Sequence, residues 1–235
     1  MNTRPGTHRL AAGFVDDSHE MIGETNPYVV SHREFGPELI AADQAQAQKG
    51  DWTGLFGRDA PLELELGAGN GQYIARMARL HPERDWLGLE LRFKRVEVAA
   101  RKVRAAGVRN AKIVRYNWFF LHEIFRDATV AGLHIHHPDP WSHHSQAHHR
   151  IIDADFVALA ERLVVPGGTW RTKTDFAPHV DRLLDLAGPS AFEVLDVRRD
   201  IVTDGAPWPD EVETNYQRKC REQGRPVLAI WLRRR

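Results

Sequence analysis

The chain has little of what marks an exported or membrane-bound protein. Its 235 residues include a single cysteine, Cys220, which excludes an intrachain disulfide framework and a zinc site built from cysteines. No apolar run has the length that a bilayer requires, and the polar N-terminus lacks the hydrophobic segment of a secretory signal. We therefore expect a cytoplasmic protein.

The chain also lacks a net charge, since 32 basic residues balance 32 acidic ones. The overall charge therefore gives no argument for binding nucleic acid or a membrane surface. Lysines and arginines are nevertheless concentrated in two segments, 92–115 and 218–225. Each segment is either a solvated helix face or a contact surface for RNA.

The hydrophobic pattern alternates between strands and helices from residue 62 onwards. This alternation predicts an α/β fold, a doubly wound and mostly parallel seven-stranded sheet with helices on both faces. We assign 59–235 to this domain and 1–58 to an N-terminal extension, with a disordered arm up to about residue 30 and a helix over 35–48. The predicted strands are 62–66, 86–90, 111–115, 132–136, 169–174, 192–198 and 227–233, and the predicted helices are 72–81, 93–106, 118–126, 153–164 and 176–187.

A glycine-rich segment follows the first predicted strand, where 62–71 reads LELELGAGNG. Gly67, Gly69 and Gly71 allow positive φ angles and a close approach of the backbone to a ligand. Glu90 ends the next strand, roughly 20 residues further on, where doubly wound folds place the acid that binds ribose hydroxyls. The segment predicts a cradle for a nucleotide-like ligand.

The spacing of these glycines differs from the G-x-G-x-x-G pattern of dinucleotide sites. A nicotinamide dinucleotide site and a purely structural turn are the alternatives. With Glu65 just upstream, the segment resembles motif I of the S-adenosylmethionine methyltransferases. Glu65 is then either a solvated residue at the strand end or a carboxylate that faces the sulfonium or the amino group of the donor.

A second motif follows the fourth predicted strand, where 136–141 reads HHPDPW. Ligands of open α/β sheets bind at the carboxyl ends of the strands. The two prolines stiffen the turn, so we expect it to present Asp139 and Trp141 to the site. The alternative is a rigid loop with a packed tryptophan.

Together these motifs resemble the bacterial tRNA (guanine-N7)-methyltransferases over about residues 62–228. The resemblance also includes PGG at 166–168, Thr174-Asp175 and TNYQ at 214–217. It implies S-adenosylmethionine as methyl donor and N7 of a guanine in the tRNA variable loop as acceptor. It further implies that Asn117 contacts the adenine and that the substrate contacts are Asp139, Trp141, Arg150, Asp175, Thr214 and Gln217.

The implied chemistry suits these residues. Guanine N7 has a free lone pair and no proton to lose, so the reaction needs proximity and orientation rather than a general base. Asp139 and Asp175 can accept hydrogen bonds from the N1–H and N2–H₂ groups of the base and offset the positive charge on N7. We name these two acids as the catalytic residues, although Asp175 could also cap a helix.

The chain departs from the family at three places. Where the family has a run of Lys, Arg and His after PDPW, 142–150 reads SHHSQAHHR, so phosphate binding should be weak at neutral pH and strengthen with acid. Gln217 replaces a glutamate and accepts fewer hydrogen bonds. Phe176 stands where a tryptophan is usual. The alternatives are a methyltransferase for a non-tRNA substrate and an inactive protein that binds the donor or RNA.

Seven of the 13 histidines lie between His134 and His149. His144 and His148 would share one face of a helix, as metal ligands can. The pattern supplies no clear third ligand. We therefore predict no metal site.

Overall fold

The computed structural model describes residues 35–141, 145 and 150–235. The predicted N-terminal arm and four histidines of the loop after PDPW, namely His143, His144, His148 and His149, lie outside these residues. No helix in the described part is long and apolar enough to cross a membrane.

The described chain forms an eight-stranded sheet with the order β1-β4-β3-β2-β5-β6-β8-β7. All pairs up to β6 are parallel, whereas β8 runs antiparallel to both β6 and β7. The predicted α/β fold with a mostly parallel sheet is therefore confirmed. The strands are β1 Leu39–Ile40, β2 Leu62–Leu66, β3 Asp85–Glu90, β4 Ala111–Arg115, β5 Val130–His136, β6 Val164–Thr174, β7 Phe192–Arg198 and β8 Leu228–Arg234.

The sheet has one strand more than the seven predicted. The additional strand, β1, pairs Leu39 with Ile113 of β4. Its two residues are too few to show a strand period, which is why the sequence did not reveal it. A segment that was assigned to the N-terminal extension therefore completes one edge of the sheet.

Helices connect the strands and pack on both faces. They are α1 Ala42–Gln48, α2 Thr53–Phe56, α3 Gln72–Leu80, α4 Phe93–Ala105, α5 Leu121–Ile124, α6 Ala154–Leu163, α7 Ala177–Ala187 and α8 Asn215–Glu222. The helix predicted over 35–48 begins only at residue 42, and the one predicted over 118–126 divides into a 3-10 turn at Trp118–Phe120 and α5. Sequence reasoning missed α2 and α8.

Strand β2 buries both of its faces. Its leucines join the core on one side of the sheet, which includes Leu64 and Trp170. The alternating acids Glu63 and Glu65 point to the other side and are only 3% exposed. Glu63 accepts a hydrogen bond from His134 Nε2 at 2.7 Å and pairs with Arg84. The alternating acids of LELEL therefore form a buried polar layer on one face of the sheet, and Glu65 is the one nearer the carboxyl end of β2.

Candidate active site

A cleft of about 330 Å³ opens at the carboxyl ends of β2, β3, β4 and β5. Its walls include five of the predicted site residues, which are Gly67, Glu90, Asn117, Asp139 and Trp141. A larger cavity of about 600 Å³ lies beside Arg58, Arg79 and Arg109, and none of the predicted site residues lines it. The smaller cleft is therefore the candidate site.

The glycine-rich turn forms one wall of the cleft. Gly67, Gly69 and Gly71 all have positive φ, at 78°, 59° and 72°, as predicted. A Cβ on Gly71 would lie 2.7 Å from Cα of Ala99, so this glycine lets α3 approach α4 closely. A Cβ on Gly67 would meet nothing within 4 Å. Gly67 therefore keeps open the space where a ligand would approach the turn.

Glu90 is fixed in the cleft wall by the backbone. Its Oε2 accepts a hydrogen bond from Gly69 N at 3.0 Å, and its Oε1 accepts from Leu91 N at 2.8 Å and Arg92 N at 3.0 Å. A carboxylate offers about four lone-pair positions, so ribose hydroxyls can still donate to it. The arrangement orients Glu90 before any ligand arrives.

Asn117 lies on the same side of the cleft. Its Oδ1 accepts from Phe119 N at 3.1 Å and so caps the short 3-10 turn. Arg92 and Arg95 at the start of α4 also line the cleft. Sequence reasoning placed both arginines in a basic cluster but missed their place at the site, although both lie within five residues of Glu90.

Glu65 lies in the buried layer and is not among the residues that line the cleft. Burial raises its pKa to about 8, against the attraction of Lys173. Its Oε1 is 3.6 Å from Nδ1 of His136, and burial holds the pKa of His136 well below its usual value. Both groups are therefore neutral at pH 7. The predicted contact of Glu65 with the donor stays a prediction.

The PDPW turn supplies the opposite wall of the cleft. Asp139 is exposed there, and Trp141 has a positive φ of 39°. Arg150 donates from Nε and Nη2 to the carbonyl oxygen of Trp141, at 3.1 and 2.8 Å. Arg150 thus fixes the backbone at the end of the turn. Its predicted contact with substrate stays a prediction.

Asp175 lies beside the cleft, close to His137, which is part of the cleft wall. Its Oδ2 pairs with Arg225 and accepts from the Tyr216 hydroxyl at 3.4 Å, while its Oδ1 is 3.8 Å from His137 Nδ1. His137 lines the cleft and has a positive φ of 48°. Burial, reinforced by the charge of Lys173, lowers the pKa of His137 to about 4, so it is neutral at pH 7. Sequence reasoning missed Arg225 as the partner of Asp175.

Thr214 and Gln217 form a capping box at the start of α8. Thr214 Oγ1 accepts from Gln217 N at 3.0 Å, and Gln217 Oε1 accepts from Thr214 N at 3.3 Å. The T-x-x-Q pattern is a known signal for this cap, and it could have predicted α8. Both side chains are buried, so their polar atoms first of all fix the helix. Their predicted contacts with substrate stay predictions.

Lys173 joins this cap to the sheet. The side chain is completely buried, and its Nζ donates to Gln217 Oε1 at 2.8 Å, Glu211 Oε1 at 2.8 Å and the carbonyl oxygen of Val212 at 2.7 Å. Burial lowers its pKa. Sequence reasoning missed Lys173, although it directly precedes Thr174 and Asp175.

Among the described residues, His137, Asp175 and Cys220 place potential ligand atoms within 4.8 Å of one another. Arg225 already neutralises Asp175. Burial raises the pKa of the Cys220 thiol, so it is a poor ligand. We therefore propose no metal at this group.

Comparisons with known proteins show which family the chain resembles in sequence. Residues 59–230 match a family model described as "putative methyltransferase". The chain is 31% identical to a tRNA (guanine-N(7)-)-methyltransferase of Thermotoga maritima over 78% of its own length, and it spans 57% of the length of that protein. It is 30% identical to the protein of the same name from Geobacillus kaustophilus, over 81% of this chain and 87% of that one.

Solved structures show the same fold at lower identity. TrmN from Thermus thermophilus superposes with a TM-score of 0.54 at 20% identity, over 82% of this chain and 48% of that one. The 16S rRNA methyltransferase KamB gives a TM-score of 0.51 at 15% identity, over 82% of this chain and 91% of that one. The sheet and its helices are therefore those of Rossmann-like methyltransferases.

Proposed function

The chain belongs to the tRNA (guanine-N7)-methyltransferase family, and from this we propose that it transfers the methyl group of S-adenosylmethionine to N7 of a guanine in the variable loop of tRNA. One observation carries the proposal. A single cleft brings the glycine turn and Glu90 together with Asp139, and Asp175 lies beside it. The cleft thus combines groups suited to a nucleoside donor with acids suited to a guanine.

The donor side fits S-adenosylmethionine. This molecule supplies an electrophilic methyl group on a sulfonium. The open space at Gly67 accommodates it where any Cβ would intrude. Glu90 accepts hydrogen bonds from the ribose hydroxyls, and Asn117 contacts the adenine. Gly69 and Gly71 hold the turn.

On the acceptor side, Asp139 and Asp175 orient the base. Their carboxylates accept hydrogen bonds from N1–H and N2–H₂ and so direct N7 towards the methyl group. The bond from N7 to the methyl carbon forms as the sulfur–carbon bond breaks, and the positive charge moves from sulfur to the base. Both acids then stabilise that charge. No proton is transferred, so no general base is needed.

The basic clusters contribute less to RNA binding than their charges indicate. Several of these cations are held by acids of the protein, in the pairs Arg101–Glu97, Arg104–Glu38, Arg218–Glu222, Arg221–Glu213 and Arg225–Asp175. Each such pair lowers the positive charge that the protein presents to a phosphate. We therefore assign the phosphate contacts nearest the site to Arg92 and Arg95, which line the cleft.

The proposal is tested by transfer of labelled methyl from S-adenosylmethionine to total tRNA that lacks 7-methylguanosine, with the product nucleoside identified by mass. We expect new 7-methylguanosine. Donor binding without methylation of tRNA would overturn the proposed substrate and direct the search to other acceptors.

A pair of variants tests the role of Asp175. We expect Asp175→Ala to abolish transfer and to leave donor affinity nearly unchanged, because Asp175 belongs to the acceptor side. Asp181→Ala is the matched control, since Asp181 is also an acid in an ion pair, with Arg199, but lies on α7. Retained turnover in Asp175→Ala would remove this residue from the mechanism.

A further inference from the structure

Tyr216 is an exposed aromatic residue at the start of α8. It is 44% exposed, whereas its neighbour Gln217 is only 7% exposed. Successive residues of a helix point about 100° apart, so the burial of Gln217 turns Tyr216 outward. Neither the sequence motifs nor the proposed function uses its side chain.

The contacts of Tyr216 place it at the acceptor side. Its hydroxyl is 3.4 Å from Asp175 Oδ2, and its ring centroid is 4.6 Å from that of His137, with 43° between the planes. Arg225 Cζ lies 5.7 Å from the ring centroid. Tyr216 therefore adjoins both the predicted catalytic acid and a residue of the cleft wall.

The start of α8 holds Tyr216 rigidly. The capping box fixes the backbone on both sides of it, and Lys173 ties Gln217 to β6 through a hydrogen bond of 2.8 Å. An aromatic ring on a fixed backbone loses little freedom when a ligand packs against it. Tyr216 is thus suited to binding a flat ligand.

A methyltransferase that acts on a base within folded RNA has to take that base out of its stack, and the extruded base then stacks on side chains of the enzyme. Phe176, where the family has a tryptophan, packs against His179 with ring centroids 5.0 Å apart and is half-buried. The more exposed ring next to Asp175 is that of Tyr216.

We propose that Tyr216 is a substrate-binding residue, whose ring stacks on the target guanine while its hydroxyl holds Asp175 against the edge of the base. This inference rests on the proposed function. It adds a nonpolar contact to a guanine site otherwise made of carboxylates.

Two variants separate the ring from the hydroxyl. Tyr216→Phe keeps the ring, and we expect its KM for tRNA to stay within about threefold of that of the wild type. Tyr216→Ala removes the ring, and we expect KM for tRNA to rise by about 10- to 100-fold, the range given by loss of one stacking contact. Donor affinity and thermal stability should change little in either variant, because the side chain is exposed.

The decisive measurement combines Tyr216→Ala with a tRNA that carries an abasic site at the methylated position. If the ring stacks on this base, Tyr216→Ala weakens binding of the intact tRNA but weakens binding of the abasic tRNA no further, because the stacking partner is already absent. Independent, multiplicative losses would overturn the role of Tyr216, even where the wild type produces 7-methylguanosine. A wild type that produces none overturns the proposed function, and the role of Tyr216 falls with it.

Discussion

The two sides of the cleft are built in different ways. On the donor side, Glu90 binds three backbone N–H groups within 21 residues of itself along the chain. On the acceptor side, side chains bind side chains across longer separations, 50 residues for Asp175 and Arg225 and 44 for Lys173 and Gln217. The donor side is therefore a local structure, whereas the acceptor side exists only once the whole sheet has formed.

The two sides of the cleft should differ most in how much stability they lose in acid. His134, His136, His137 and His179 are buried on β5, on α7 and in the PDPW turn, and burial lowers the pKa of each. For His137 and His179 the pKa falls to about 4. Each contributes about 1.4 kcal/mol of stability for every unit by which folding lowers its pKa. This stability is complete above pH 6.5 and is lost as the pH falls towards 4.

Glu65 changes the stability with pH in the opposite direction. Its pKa is raised from 4.5 to about 8, so its contribution is complete below pH 4.5 and is lost as the pH rises through 8. Burial also raises the pKa of Asp85, which acts in the same direction as Glu65. Between pH 4.5 and 6.5 these two carboxyls oppose four histidines, and the histidines decide the sign. We expect the free energy of unfolding to be highest between pH 6.5 and 7 and to fall on both sides.

Hydrogen exchange at pH 7 and pH 5 tests where this loss occurs. Amides of β6, α7 and α8, which lie next to His137 and His179, should lose protection in acid before those of β3 and β4. His179→Gln removes one titrating group and should flatten the acid limb of the stability curve. Equal loss of protection on both sides of the cleft would contradict the comparison.

The next largest effect is expected from Lys173→Met. Lys173 makes three hydrogen bonds with its buried ammonium group, one of them to the carboxylate of Glu211. Its removal takes the ammonium donor away from Glu211 and leaves Gln217 Oε1 with only the hydrogen bond from Thr214 N. The loss should be about 3–5 kcal/mol, as for a broken buried ion pair, and tRNA methylation should fall because α8 is released.

Lys112→Met on β4 is the matched control. Lys112 is also nearly buried, but its Nζ donates to the carbonyl oxygen of Pro37 at 2.7 Å. We expect a loss of about 1 kcal/mol, the value of one hydrogen bond. Urea denaturation measures both variants, and equal losses would show that Lys173 has no special role.

The difference between local contacts on the donor side and long-range contacts on the acceptor side explains which features the sequence predicts. The fold class, all seven long strands and the positive φ angles of Gly67, Gly69 and Gly71 follow from local patterns, because glycine and hydrophobic periodicity act over short distances. Strand β1 was too short to detect. The links of Asp175 to Arg225 and of Gln217 to Lys173 were missed because no local rule pairs side chains so far apart. The T-x-x-Q cap was local, but it was interpreted as a substrate contact alone.

Two glycine substitutions test how the glycine turn of the donor side is built. Gly71→Ala should cost about 3 kcal/mol, since its Cβ would lie 2.7 Å from the backbone of Ala99 and its φ is positive. Gly67→Ala has the same backbone conflict but no steric one, so we expect a loss of about 1 kcal/mol.

Donor affinity separates these two glycines further. Gly67 faces the cleft, so Gly67→Ala should weaken binding of S-adenosylmethionine at least tenfold although the protein remains folded. Calorimetric titration at a temperature well below the unfolding transition measures this affinity. Unchanged affinity in Gly67→Ala would mean that the donor does not approach the turn at this residue, and the cradle would then be a structural feature alone.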